Sequence, residues 1–98
     1  MPIKARFLSV LIKPDPSHTT NEVEEAMNKS LDWFRLDDNY YVAYSTGSLD
    51  QWRSRLLPLA EPGGHFLVAP IDMTQKKGWV TKAFWDWAKK MPEKHPGK

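Results

Sequence analysis

The side chains of this chain that could do chemistry are few and scattered. There is no cysteine, which removes disulfides, thiolate metal sites and cysteine nucleophiles together and fits a reducing compartment. His18, His65 and His95 have no metal-ligand spacing and read as loop or strand-end residues. Asp37 and Asp38 are adjacent. Two carboxylates can divide acid and base roles when their surroundings separate their pKa values, but adjacent acids followed by Asn39 are turn formers first. Gly63-Gly64 has neither the lysine nor the following helix of a phosphate loop, and Ser45-Thr46-Gly47 is not a nucleophile elbow. The sequence therefore assigns no catalytic residue and no metal ligand, and no cofactor is expected.

Charge and aromatic content say more. The formal net charge is only +2, yet seven basic and two acidic residues lie from Lys76 onward, against seven basic and ten acidic before it. Lys76, Lys77, Lys82, Lys89 and Lys90 are thus the candidate contacts to nucleic-acid phosphates. The bland reading is a basic segment lying against an acidic body, its own or a partner's, since the excess is small beside that of dedicated nucleic-acid binders. Five tryptophans are many for 98 residues. Trp33, Trp52 and Trp87 fall on apolar faces and read as core. Trp79 and Trp85 are interface candidates, because a large ring entering a dry pocket is a common binding hot spot. Phe66 and Val68 of the last strand join them as candidate dimer contacts. Tyr40 and Tyr44 share a strand face with Val42, whereas Tyr41 lies on the other. Sheets that bind RNA stack bases on such aromatics, but no Lys/Arg-Gly-Phe pattern accompanies them, so packing or dimer contact is the preferred reading.

These residues must be held by one small domain. Ninety-eight residues with 41% hydrophobic and 27% charged side chains make a single folded, soluble unit. Residues 3–13 read as a strand apolar on both faces, stopped by Pro14 and Pro16. Thr19 with Glu22 is a capping box, and Asn21 with Glu24 has a similar spacing. Val23, Ala26, Met27, Ser30 and Leu31 follow at helical spacing. Trp33 to Leu36 and Tyr40 to Thr46 flank the Asp37-Asp38-Asn39 turn as a hairpin. Ser48 with Gln51 opens a second helix with buried Leu49, Trp52, Leu56 and Leu57, broken at Pro58. Residues 65–71 read as a strand. Val80, Ala83, Phe84, Trp87 and Met91 mark one face of a third helix over about residues 80–91, with Trp85 off that face. The expected architecture is α+β: a ferredoxin-like β-α-β-β-α-β split βαβ sandwich with an extra C-terminal helix. The domain is expected to span residues 1–91, and residues 92–98 to form a flexible basic tail. The apolar stretches fall far short of the roughly 20 residues of a membrane span. The start, Met1 to Arg6, lacks a secretory apolar run, so a cytoplasmic protein without membrane contact is expected.

At Gly78-Trp79-Val80-Thr81-Lys82-Ala83-Phe84-Trp85-Asp86-Trp87 the sequence resembles the small bacterial and phage proteins called SinR-like. These are relatives of the small ferredoxin-fold subunit of CRISPR spacer acquisition and of virulence-associated protein D. Leu36-Asp37, the strand ending in Tyr44-Ser45-Thr46, and the helix bearing Arg53 and Arg55 match in order as well. The resemblance implies a ferredoxin-like homodimer in which the fourth strand or the C-terminal segment crosses to the partner. In nuclease members of that superfamily an aspartate ends the first strand, and its twin from the other subunit completes a metal site. Here the aligned position is near Leu11, which supplies no ligand to magnesium, and Asp15 lies beyond Pro14 in the loop. The resulting expectation is a non-catalytic homodimeric adaptor, with nucleic acid as a further partner and no evident small-molecule substrate. The alternatives are a toxin-type metal-dependent endoribonuclease, which would need magnesium, and a plain nucleic-acid-binding protein.

Overall fold

The computed structural model describes residues 4–94 and shows a mixed α+β domain: a four-stranded antiparallel sheet with three helices. The elements are β1 (Arg6–Lys13), α1 (Thr20–Met27), β2 (Asp32–Asp37), β3 (Tyr40–Ser45), α2 (Leu49–Ala60), β4 (His65–Ile71) and α3 (Lys82–Lys94). The sheet order is β2-β3-β1-β4. β1 is apolar on both faces because it is interior: it pairs with β3 from Arg6↔Ser45 to Leu11↔Tyr40 and with β4 from Phe7↔Ile71 to Lys13↔His65. β1 and β2, joined through α1, run parallel on either side of β3. β3 and β4, joined through α2, do the same around β1.

Local chemistry sets the boundaries. Thr19 caps α1: its side chain accepts from the Glu22 backbone N–H, and the Glu22 carboxylate accepts from the Thr19 N–H. Thr19, and not Asn21, takes the cap. The helix stops at Met27, where the Ser30 hydroxyl donates to the Met27 carbonyl at 2.6 Å, so Leu31 leaves the helix and stays exposed. The hairpin turns at Asp38-Asn39, with the Asp38 N–H donating to the Asp37 carboxylate, and a bulge falls between Arg35 and Asp37. Ser48 and Gln51 form the second capping box.

Two prolines do not end helices as expected. α2 continues through Pro58 to Ala60. The proline lies on the solvent side, where the carbonyl it cannot serve stays accessible to water, and Trp52, Leu56 and Ala60 bury one continuous stripe. Leu49 is exposed. α3 likewise runs through Pro92 to Lys94 and begins at Lys82, close to the expected start near residue 80. The Thr81 hydroxyl accepts from the Phe84 N–H there. Pro92 to Lys94 are thus helical, not tail; residues 95–98, including His95, lie outside the described residues. The stripe α3 buries is Phe84, Ala88 and Met91, while Ala83 faces solvent. Gly64 is required by a close approach, since a Cβ there would overlap the Lys13 carbonyl.

The two sheet faces carry separate cores. On the inner face Leu8, Val10, Ile12, Tyr41 and Ala43 pack with Val23 and Met27 of α1 and Trp52 and Leu56 of α2. On the outer face Phe7, Val42 and Tyr44 pack with Phe84, Ala88 and Met91 of α3. Each large side chain so buried contributes about 1.5–3 kcal/mol. Trp52 is wholly buried, and its indole donates to the Ser45 hydroxyl at 3.0 Å. β4 is an edge strand. Pro70 sits in it opposite Leu8 and has no N–H to give, so its place in the ladder must be one whose donor position faces away from β1.

Candidate interaction surface

Where α3 stops covering the sheet, apolar side chains remain in the open. α3 is 13 residues long, about 20 Å at 1.5 Å per residue. It lies over β2, β3 and the Phe7 end of β1. Beyond it, Tyr40, Leu11 and Leu67 stand side by side on β3, β1 and β4, because Leu11 pairs with Tyr40 on one side and with Leu67 on the other. Leu11 is 38% exposed and Leu67 65%. The Tyr40 hydroxyl accepts from Ser9 at 3.0 Å, which fixes the ring in this band. The segment between β4 and α3 then brings Trp79 and Val80 alongside, so that Phe34, Leu36, Tyr40, Trp79 and Val80 line a groove of about 530 Å³ with Arg35 and Asp37 at its rim. Trp79 is 101% exposed, so no described residue covers it. A contiguous apolar strip of this kind is the usual mark of a contact surface.

Of the four expected interface residues, three are half-buried. Phe66 and Val68 are half-buried against the inner core, because their pairing with Ile12 and Val10 turns them toward α1 and α2. The open side of β4 carries Leu67 instead. Trp85 is half-buried against the outer core, its ring 5.2 Å from that of Phe84. Only Trp79 stands free. Leu11 and Leu67 were not singled out from the sequence. The parity that places Leu11 with Phe7 and Ser9 was legible there, but not the length of face left uncovered.

Of the five lysines, Lys82, Lys89 and Lys90 share the solvent side of α3, and Lys76 and Lys77 precede it. Lys82 pairs with Asp86 at 2.9 Å. The hydrogen bond from Lys82 holds the Asp86 carboxyl below its ordinary range, and the same bond raises the Lys82 ammonium. Lys76 donates to the Met73 carbonyl at 2.7 Å.

The acids serve the backbone. Asp15 is buried, accepts from the Ser17 hydroxyl and N–H, and takes the Gly63 N–H at 2.8 Å. The Ser17 hydroxyl, then the two N–H groups, hold its carboxyl below the usual value. With its lone pairs so engaged, Asp15 ties the β1–α1 loop to the α2–β4 loop. Asp38 is exposed in the hairpin turn, where its carbonyl and that of Asp37 accept from Arg35. His18 pairs with Glu22 at 2.7 Å and His65 is exposed at the start of β4. Among the described residues no group of three or more histidine, aspartate or glutamate side chains converges within the chain. No helix among them is long and apolar enough to cross a membrane.

No protein-family model, curated protein or solved structure matches the chain. The surface itself must carry the functional reading.

Proposed function

We propose that the chain is a homodimeric, non-catalytic adaptor of the SinR-like kind, built on a ferredoxin-like fold and paired through the outer sheet face. The element order and the two βαβ units, each opened by an intervening strand, support the fold reading. The observation that carries the function is the band Tyr40–Leu11–Leu67 with Trp79 standing bare beside it. A second copy is the natural cover, because the band crosses three strands and can face its own image about a two-fold axis. Asp15, the nearest acid after β1, is engaged with Ser17 and Gly63, which favours an adaptor over the metal-dependent ribonuclease. The lysine-bearing side of α3 would remain free for nucleic acid as a further partner.

Sedimentation velocity at about 10 µM, a concentration that separates a specific dimer from weak encounters, tests the reading. A dimer is expected, and Leu67→Glu with Trp79→Ala should give a folded monomer. A wild-type monomer at that concentration refutes the pairing. Magnesium-dependent cleavage of RNA or DNA that is lost in Asp15→Asn refutes the non-catalytic part.

A further inference from the structure

A different hollow lies at the other end of β1. Phe7 and Leu11 are four strand positions apart, about 13 Å at 3.3 Å per residue, and this hollow shares no lining residue with the Trp79 groove, a smaller one past Tyr40, Val80 and Met73 lying between them. Its floor is Phe7 and Ala88, its walls are Trp85 and Met73, and Lys76 and Lys89 stand at its rim, enclosing about 410 Å³. The α3 side is one helical stripe: Trp85, Ala88 and Lys89 stand at i, i+3 and i+4. The hollow exists because position 88 is alanine between larger neighbours. Lys76 is carried over it by a turn in which Asp72 accepts from the Thr74 N–H and hydroxyl. The Lys76 ammonium spends one of its three donors on the Met73 carbonyl, which leaves two for a ligand. None of the described side chains lining the hollow is acidic.

We propose that this hollow binds a small organic anion: a flat apolar body with one acidic group. The volume falls within the roughly 300–1,000 Å³ of small-molecule sites, which are apolar with a few placed polar groups. The ring system lies on Trp85 and Phe7, which supply wide apolar faces. The acid group reaches Lys76 and Lys89; no carboxylate lines the hollow, and Lys89 feels the charge of Asp86, which lies outside it and is itself bonded to Lys82. A nucleotide fits less well, since its base would find only the lysines to hydrogen-bond and would leave its polar edge unpaired.

The test uses the full chain with two fluorescent probes of like shape, anionic 8-anilinonaphthalene-1-sulfonate and neutral N-phenyl-1-naphthylamine. Saturable binding of both is expected, the sulfonate more tightly. Lys76→Ala with Lys89→Ala should weaken the sulfonate about tenfold, since each partly exposed ion pair is worth up to about 1 kcal/mol, and should leave the neutral probe unchanged. Ala88→Leu should abolish both, with circular dichroism confirming the fold. The indole N–H resonance of Trp85, assigned by its loss in Trp85→Phe, should move with the sulfonate titration in the parent chain whether or not Ala88→Leu folds. Sulfonate binding that ignores the lysine pair, or a Trp85 resonance unmoved at saturation, overturns the proposal.

Discussion

Replacing Ser45 by alanine isolates the polar link inside the inner core. Ser45 is 1% exposed and Trp52 wholly buried. One hydroxyl oxygen accepts from the Trp52 indole at 3.0 Å and from the Gly47 N–H at 2.9 Å. Ser45→Ala removes the acceptor and leaves both donors. The indole N–H, with no route to water, costs about 1–3 kcal/mol unpaired. The Gly47 N–H is only partly buried and can recover a water, so its share is the ordinary net value of about 1 kcal/mol. The expected loss is about 2–4 kcal/mol, a large part of the roughly 5–10 kcal/mol available to a domain this small. Urea denaturation followed by far-UV circular dichroism measures it. In a Trp52→Phe background the indole donor is already gone, so Ser45→Ala should then cost only about 1 kcal/mol. The cycle therefore predicts a coupling of about 1–3 kcal/mol. Strict additivity of the two substitutions, or a Ser45→Ala loss below about 0.5 kcal/mol, would refute the reasoning.

Three further substitutions probe other parts of the fold. Tyr41 is buried with its hydroxyl unpaired among the described residues, and burial pushes its phenol up; Tyr41→Phe should raise the urea midpoint, with a gain of about 1 kcal/mol. The Asp15 carboxyl is held below its ordinary 3.8 by the Ser17 hydroxyl first. Its contribution is therefore complete above about pH 4 and lost as pH falls through the lower folded value; Asp15→Asn should flatten the acid limb of stability against pH while lowering the neutral plateau. Gly64→Ala forces a methyl onto the Lys13 carbonyl and the Pro14 and Asp15 backbone, and should lower stability by about 2 kcal/mol or more in the same denaturation assay.

Much of the architecture was legible because the signals were local. Two capping boxes, the apolar period of the helices and the Asp-Asp-Asn turn each act within a few residues. Leu8 to Ile12 also declared β1 an interior strand by lacking a polar face. The misplacements were tertiary. The β4 run is apolar at nearly every position, so nothing in it says whether Phe66 or Leu67 faces inward; only the pairing of Phe66 with Ile12 decides. Trp85 was set aside by helical angle, yet its ring is half-buried against the outer core, 5.2 Å from that of Phe84. Prolines 58 and 92 were read as breaks because sequence does not show which side of a helix meets solvent. The bare band on the outer face could not be read at all, since it is defined by where α3 ends.

The proline in β4 also limits how copies can meet. A rim whose penultimate residue lacks a donor cannot be copied onto a neighbouring chain along its full length, so the edge is a poorer template for an added strand. The edge so shortened disfavours open-ended growth from strand to strand.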